Sequence, residues 1–283
     1  MKIFLINLDR ADDRRGHMLS ELSRLVPDIP VERALCVDIK AADWKAPDTV
    51  KPGRWSSDRW SLGPSDIEIF RSHIDCWEKI VAAQEYGVIL EDDLLFSAKF
   101  AGAITGLEAA KTRGIVRLDG LNRPVIHEKA AQDLGEFRLS PLGSLAASAG
   151  AYMLDPHTAS LLLETARIER TVDDYLFDPT PEDRGARGHG LSILQLEPAV
   201  AVQAQFGTYA DAGRKVPPFL EATKRVDAKN RKARAYLGPW PYRVRKEILR
   251  ARYRKRLKLR IQTAQSNGGR WGAPELCSDL AWD

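Results

Sequence analysis

Short apolar runs alternate with amphipathic segments along the first two hundred residues, and this alternation constrains the fold more than any other feature of the sequence. Residues 2–8 are mostly apolar, which is typical of a buried strand, and residues 9–26 repeat apolar side chains at helical spacing. A second strand is predicted over residues 31–37. The order strand, helix, strand predicts an α/β fold with a mostly parallel sheet flanked by helices.

The remaining elements follow from the same periodicities. Residues 65–85 combine a polar cap with apolar side chains at helical spacing, and residues 86–90 form a short apolar run that predicts a central strand. Residues 41–63 show no period, and their three tryptophans favour a long structured loop over disorder. Further helices are predicted over residues 98–112 and 156–167, and further strands over residues 114–118, 136–139, 150–154 and 192–196.

Charge divides the chain into two parts. Between residues 224 and 260 there are 16 Lys or Arg against 2 acids, whereas the rest of the chain has 27 bases and 37 acids. We therefore predict an acidic domain over residues 1–220 and a basic, partly helical extension over residues 221–283. No run reaches the roughly 18 apolar residues of a membrane-spanning helix. Three widely spaced cysteines match no zinc or redox motif and suit a reducing cytoplasm.

Three carboxylates, Glu91, Asp92 and Asp93, follow the predicted central strand. In an open α/β sheet, ligands bind beyond the carboxyl ends of strands, and clustered like charges there repel one another unless a cation neutralises them. Oxygen ligands of this kind suit Mg²⁺ or Mn²⁺ shared with a diphosphate. The alternative is that these acids cap the strand end in water, and the local sequence leaves both interpretations open.

Two other polar clusters also allow two interpretations. Asp173 and Asp174 follow a predicted helix, where a carboxylate is either a general base or the cap of a short helix. Ser72 and His73 lie within a predicted helix, where a lone histidine is more often structural. A group of polar residues after the first strand either binds a phosphate at the start of the following helix or forms a solvated charged turn. Its members are Asn7, Arg10, Arg14 and Arg15.

The basic region contains a predicted helix over residues 242–262. Leu249, Tyr253, Leu257 and Ile261 recur every four residues and form an apolar stripe beside Arg and Lys. A basic amphipathic helix suits an anionic membrane surface. One alternative is that the helix packs on the acidic body. Another is contact with nucleic acid, but we do not expect a nucleic-acid partner.

Seven motifs occur in one order along the chain. They are INLDRADDRR ending at residue 15, RSHIDCWEKIV at 71–81, YGVILEDDLLF at 86–96, IVRLDG at 115–120, AGAYMLDPHTASLLL at 149–163, VDDYL at 172–176 and LEPAVAVQ at 196–203. Together they resemble glycosyltransferase family 25, the lipooligosaccharide galactosyltransferase family, over residues 2 to about 205. The resemblance implies a GT-A-type, Rossmann-like fold, a UDP-sugar donor (typically UDP-galactose), a divalent metal and inversion at the sugar carbon.

The resemblance also implies roles for individual residues. Glu91 and Asp93 match the ends of the family's acidic motif and are expected to hold the metal, while Asp92 falls between them near the nucleotide. The other residues expected near the nucleotide are Asn7, Arg10, Arg14, Arg15, Ser72, His73 and Arg117.

Three acids are candidates for the general base. Asp173 matches the late acid of the family and is the first choice, with Asp174 and Asp119 as the others. The chain departs from the family at Ser148, where a glycine is usual, and over residues 65–69, which replace a Gly-Glu-x-Gly-Cys motif. Both departures leave the identity of the sugar open.

These features predict a metal-dependent, inverting glycosyltransferase. It is expected to move a hexose, with galactose as the expected sugar, from a UDP-sugar to a lipid-linked or oligosaccharide acceptor in lipooligosaccharide or polysaccharide biosynthesis. We expect it in the cytoplasm, peripheral on the inner face of a bacterial inner membrane. One alternative is a metal-dependent hydrolase, which would turn over UDP-sugar or phosphate esters without acceptor. The other is a degenerate scaffold, which would bind nucleotide without turnover.

Overall fold

The computed structural model describes residues 1–36, 62, 64–184, 186–211, 213–221 and 240–283. It confirms the α/β class. The loop predicted over residues 41–63 lies outside the described residues, apart from Leu62. The helices are α1 (Asp12–Leu25), α2 (Pro64–Ala83), α3 (Phe100–Ala109), α4 (Pro156–Thr165), α5 (Val172–Leu176), α6 (Pro218–Glu221) and α7 (Trp240–Ser266), and Pro181–Arg184 forms a 3₁₀ turn.

Each of the seven predicted strands is present within about two residues of its predicted ends, whereas several short strands were not predicted. The strands are β1 (Lys2–Leu8), β2 (Val31–Cys36), β3 (Gly87–Glu91), β4 (Leu94–Phe96), β5 (Ile115–Arg117), β6 (Asp119–Gly120), β7 (Val125–His127), β8 (Gln132–Leu134), β9 (Phe137–Pro141), β10 (Ala151–Leu154), β11 (Ile193–Glu197), β12 (Ala201–Gln203), β13 (Gly207–Tyr209), β14 (Arg270–Gly272) and β15 (Leu280–Trp282).

The central sheet has eight strands in the order β2-β1-β3-β10-β5-β11-β9-β8. β1 pairs in parallel with β2 and β3, and β11 pairs in parallel with β5, whereas the other four pairings are antiparallel. The sheet is therefore mixed, and its parallel part includes the β1–β3 pair that precedes the acidic motif. A second sheet, in the order β4-β12-β6, lies beside it.

Alternating side chains divide the core between the two faces of the central sheet. Phe4 and Ile6 of β1 pack in the cluster that contains residues of α2, α4 and α5, whereas Ile3 and Leu5 pack in the cluster that contains residues of α1 and α3. Successive strand residues point to opposite faces, so a strand covered on both sides is apolar throughout. Each such side chain contributes about 1.5–3 kcal/mol when fully buried.

The last residues of the chain return to the body. β14 pairs antiparallel with β7, and β15 pairs antiparallel with β13. Cys277 is buried in the same cluster as Phe96 and Phe100. The boundary at residue 220 remains a prediction, but residues 270–282 form part of the folded body.

Helix α7 contacts the body at the 3₁₀ turn, at β7 and at β14. Tyr242 and Ala264 are buried, and the stripe residues between them are half-buried. Arg256 and Arg260 form ion pairs with Asp183 of the 3₁₀ turn. This arrangement supports the packing alternative for part of the helix, whereas Leu249 and Tyr253 of the stripe line a cavity beside α5. The opposite face exposes apolar side chains, at Trp240, Val244, Ile248 and Leu259.

Hydropathy gives no support for a membrane-spanning segment in the described part of the chain. None of its helices combines the length and the apolar character needed to cross a bilayer.

Candidate active site

The site is built at the carboxyl ends of β1 and β3. These strands are parallel neighbours with Ile6 opposite Glu91, so the residues that follow each strand meet at one edge of the sheet. There Asn7 Nδ2 donates to Asp92 Oδ2 at 2.7 Å, and Arg14 Nη1 donates to Asp92 Oδ1 at 2.8 Å. Burial raises the pKa of Asp92, although Arg14 and Asn7 oppose the shift. Asp92 is thus a paired carboxylate at the start of α1.

Glu91 and Asp93 instead converge on one amide group. Gln203 ends β12 directly opposite Leu94 of β4, which places its side chain beside both acids. Gln203 Nε2 donates to Glu91 Oε2 at 2.8 Å and to Asp93 Oδ1 at 3.2 Å. Burial raises the pKa of each acid to about 8. Repulsion from Asp119 and Asp92 adds to the shift at Glu91. Repulsion from Glu91 and Asp92 adds to the shift at Asp93.

The chemistry of this pair fits a divalent cation. Carboxylate oxygens are the ligands that Mg²⁺ and Mn²⁺ prefer. The pKa values of both acids are raised first by burial and then by repulsion from neighbouring acids, so a cation would favour their ionised forms. Glu91 and Asp93 approach a common point, now occupied by the amide nitrogen of Gln203. Among the described residues, no group of three or more His, Cys, Asp or Glu side chains is arranged around one point. The fit therefore rests on two carboxylates.

A buried ion pair supports the acid cluster from β5 and β6. Arg117 is 1% exposed and Asp119 is fully buried, with Arg117 Nε 3.0 Å from Asp119 Oδ1. Arg117 also donates to Gln195 Oε1 at 3.0 Å and to the carbonyl of Ala147 at 2.6 Å. Burial raises the pKa of Asp119 to about 6, although Arg117 and the Ser148 hydroxyl lower it. Three internal partners make Arg117 a positioning residue.

Arg117→Met is expected to lower the free energy of unfolding by about 3–5 kcal/mol, because it leaves Asp119 as a buried charge without its partner. Chemical denaturation measures this change. Arg24→Met is the control, because the Arg24 side chain is 51% exposed in its pair with Glu21 and should cost less than about 1 kcal/mol. Equal losses in the two variants would contradict the structural role of Arg117.

Asp173 lies in the first turn of α5 and faces the acid cluster. Its Oδ2 accepts a hydrogen bond from the Ser148 backbone N–H at 3.3 Å. The charge of Asp173 adds to the effect of burial on Glu91, whose pKa is raised. It opposes the effect of burial on His73, whose pKa is lowered. Ser148 has a φ of 79°, in the left-handed region that favours glycine, and its hydroxyl donates to Asp119 Oδ2 at 2.5 Å. This backbone conformation explains why glycine is usual at this position in the resembling family. Asp174 instead lines a cavity against α7.

His73 is a buried neutral side chain beside Glu91. Burial lowers its pKa to about 3. Trp77 Nε1 donates to the Tyr152 hydroxyl at 2.8 Å, and that hydroxyl lies 2.7 Å from His73 Nδ1. Because tryptophan only donates, the tyrosine hydrogen is available to His73 Nδ1, which leaves Nε2 protonated. His73 Nε2 lies 3.9 Å from Glu91 Oε1, too far for a hydrogen bond, and it is a buried donor without a hydrogen-bond partner in the part of the chain that the structure describes.

The predicted site residues do not all lie in this cluster. Arg15 pairs with Asp12 at 2.6 Å, Ser72 donates within α2 to the carbonyl of Glu68 at 2.9 Å, and Arg10 is exposed. The structure brings together the other predicted residues, apart from Asp174: Asn7, Arg14, His73, Glu91, Asp92, Asp93, Arg117, Asp119 and Asp173.

Two members of the cluster, Gln203 and Ser148, had no predicted role. Gln203 ends the LEPAVAVQ motif, so its position at the end of an apolar run was the available signal. Ser148 was recognised as a departure from the family, but its bond to Asp119 depends on a contact between residues far apart in sequence.

Comparisons with known proteins give one informative match. Solved structures similar to this chain include A197 from STIV, with 7% sequence identity, a TM-score of 0.33 and coverage of 69% of this chain and 81% of that one. Another is mannose-1-phosphate geranyltransferase from Thermus thermophilus, with 12% identity, a TM-score of 0.33 and coverage of 69% and 74%. At these values neither likeness supports a statement about fold or activity. No curated protein matches the chain.

The informative match is to a family described as "Glycosyltransferase family 25 (LPS biosynthesis protein)", over residues 1–176. That range includes β1, the acidic motif, Asp119 and Asp173. It covers more than half of the chain. The chain therefore belongs to glycosyltransferase family 25.

Proposed function

We propose that this chain transfers a hexose from a UDP-sugar to a glycan acceptor, with inversion at the sugar carbon and galactose as the expected sugar. Membership of a glycosyltransferase family described by lipopolysaccharide biosynthesis is the observation that carries the proposal. The acid cluster supports it, because Glu91, Asp93 and Asp173 surround one edge of the sheet where ligands of α/β folds bind.

Glu91 and Asp93 would hold a divalent cation, Mn²⁺ or Mg²⁺. When bound, such an ion supplies positive charge that stabilises the diphosphate as it leaves. Gln203 would have to move its amide nitrogen from the point it now shares with both acids.

In the proposed chemical step, Asp173 faces the acceptor hydroxyl. As the acceptor oxygen forms its bond to the anomeric carbon, the bond from that carbon to the diphosphate oxygen breaks and UDP leaves. The acceptor hydroxyl loses its proton to Asp173, which acts as general base. The Ser148 backbone N–H holds one oxygen of Asp173, which leaves the other carboxylate oxygen to take the proton.

The donor side of the site is organised around Asp92. Asn7 and Arg14 fix this carboxylate at the start of α1, where the helix N-terminus and a guanidinium both favour a phosphate or a ribose hydroxyl network. His73 stays neutral near pH 7, so it adds no charge beside Glu91.

Peripheral contact with an anionic membrane remains a proposal, but we now assign the contact to a different face of α7 from the one predicted. The stripe predicted for this role is half-buried, and two of its residues line the cavity between α7 and the body, whereas Trp240, Val244 and Ile248 recur every four residues on the exposed face of α7. The helix carries 10 Lys or Arg against 1 acid. An exposed apolar stripe on a basic helix suits a cytoplasmic membrane face with anionic lipids.

A thermal-shift panel of nucleotide sugars tests the proposed function. UDP-galactose with Mn²⁺ is expected to raise the melting temperature, because a ligand that binds only the native state at about 100 times its Kd adds about 2.7 kcal/mol to stability. ADP-glucose under the same conditions is the control and should have little effect. The proposal fails if no UDP-sugar raises the melting temperature with or without Mn²⁺.

A further inference from the structure

A cavity of about 560 Å³ lies between α7 and the part of the body that includes α5 and residues 186–188. Small-molecule sites commonly occupy about 300–1,000 Å³. Among the described residues, seven Arg or Lys side chains and three acidic side chains line the cavity, so this lining has a surplus of positive charge. Tyr175, Tyr242 and Tyr253 add aromatic surface. This combination suits an anion attached to a ring or an apolar group.

The basic lining has a fixed centre. Arg170 is 5% exposed, donates to the carbonyl of Arg187 at 2.6 Å and lies over the ring of Tyr175 at 5.7 Å. Within the described part of the chain, no carboxylate lies at ion-pair distance from the guanidinium groups of four other lining arginines. These four are Arg167, Arg187, Arg245 and Arg254. Their donors are available to an anionic ligand.

The cavity adjoins the candidate active site through α5. Asp173 and Asp174 are consecutive residues of this helix, but Asp173 faces Ser148 and the acid cluster, whereas Asp174 lines the cavity. A ligand in the cavity would therefore lie beside the short helix that carries the proposed general base. Asn7 and Arg14, on the donor side, do not line the cavity.

We propose that the cavity binds a phosphate group carried by the glycan acceptor, an inference that rests on the proposed function. Guanidinium groups form paired hydrogen bonds with phosphate oxygens. A lysine side chain binds phosphate as a point charge and recognises it less specifically. The tyrosine rings would contact the sugar or apolar part of the same molecule. The phosphate belongs either to a soluble phosphorylated glycan or to a lipid headgroup.

Two matched double variants of the full chain test this assignment. Arg245→Gln with Arg254→Gln removes two positive charges from the cavity. Lys255→Gln with Lys258→Gln removes two charges from exposed positions of the same helix that do not line it. Inorganic pyrophosphate is titrated by calorimetry at fixed salt, with saturating UDP to fill the donor site. Helix content and melting temperature show whether each variant remains folded.

The cavity variant is expected to bind pyrophosphate at least about tenfold more weakly than the native chain, because it loses hydrogen bonds to a charged ligand. The control variant should change the affinity less than about twofold. Equal losses would mean that general charge and not the cavity binds the anion, and they would overturn the proposal. Absence of pyrophosphate binding to the native chain would also overturn it.

A second arm identifies the source of the phosphate. The same variants are sedimented with vesicles of phosphatidylglycerol and phosphatidylcholine. A larger loss in the cavity variant than in the control variant assigns the site to a lipid headgroup, whereas equal effects assign it to a soluble phosphorylated glycan. UDP-sugar binding should survive in both variants, so a failure of the donor proposal would be visible separately.

Discussion

Asp173→Asn is expected to lower kcat for sugar transfer by about 10²–10⁴-fold, the usual contribution of a positioned general base. The amide keeps the size and can still accept the Ser148 hydrogen bond, but it cannot take the acceptor proton. UDP-sugar binding should be unchanged, because Asn7, Arg14 and Asp92 lie on the donor side. Steady-state transfer kinetics and donor titration measure the two effects.

Asp174→Asn is the matched control for this variant. It makes the same change one residue along α5, at a side chain that lines the α7 cavity and does not face the acid cluster. Its kcat should stay within about threefold of the native value, while KM for a phosphorylated acceptor can change. If Asp174→Asn loses turnover and Asp173→Asn does not, the two residues exchange roles. If neither loses turnover, the base lies elsewhere.

The fold was predictable where a local pattern decides the structure. β1 and β3 are apolar because both faces of the sheet are covered, so short apolar runs identified them without any tertiary information. The strands β4, β6 and β12 have two or three residues each and form one sheet only because distant segments pair. No periodicity is measurable over so few residues.

The candidate site divides in the same way. A run of three carboxylates after an apolar strand is a local signal, and it predicted an acid cluster at Glu91, Asp92 and Asp93, while the family resemblance singled out Glu91 and Asp93 for the metal. The different environment of Asp92 follows from the pairing of β1 with β3, which brings Arg14 to it across 78 residues of sequence. The resemblance preferred Asp173 to Asp174, but the local sequence does not separate them, because which side chain faces the cluster depends on how α5 packs.

The ionised side chains of Glu91 and Asp93 are expected to lower the free energy of unfolding. Glu91 and Asp93 have pKa values raised to about 8 in the folded chain from 4.5 and 3.8. Between those limits the native state binds more protons than the unfolded state, so the pair lowers the free energy of unfolding as the pH rises through this window. The loss is complete above about pH 8 and absent below about pH 4.

Glu91→Gln should therefore raise the melting temperature at pH 8 and leave it nearly unchanged at pH 4. One pKa unit corresponds to about 1.4 kcal/mol, so even part of the shift gives a rise of about 3 °C or more. Turnover with UDP-sugar and Mn²⁺ should fall about 10²-fold or more, because the charge that opposes folding is the charge that would hold the cation. Mn²⁺ alone should raise the melting temperature of the native chain but not of the variant.

Glu21→Gln provides a control of opposite sign. Burial alone would raise the pKa of Glu21, but ion pairs with Arg24 and Arg214 hold it below its ordinary value. Its ionised form therefore stabilises the fold at pH 8, and its removal should lower the melting temperature without lowering kcat. A lower melting temperature for Glu91→Gln at pH 8 would show that Glu91 is balanced by its surroundings, and the proposed cation at this edge of the sheet would lose its electrostatic basis.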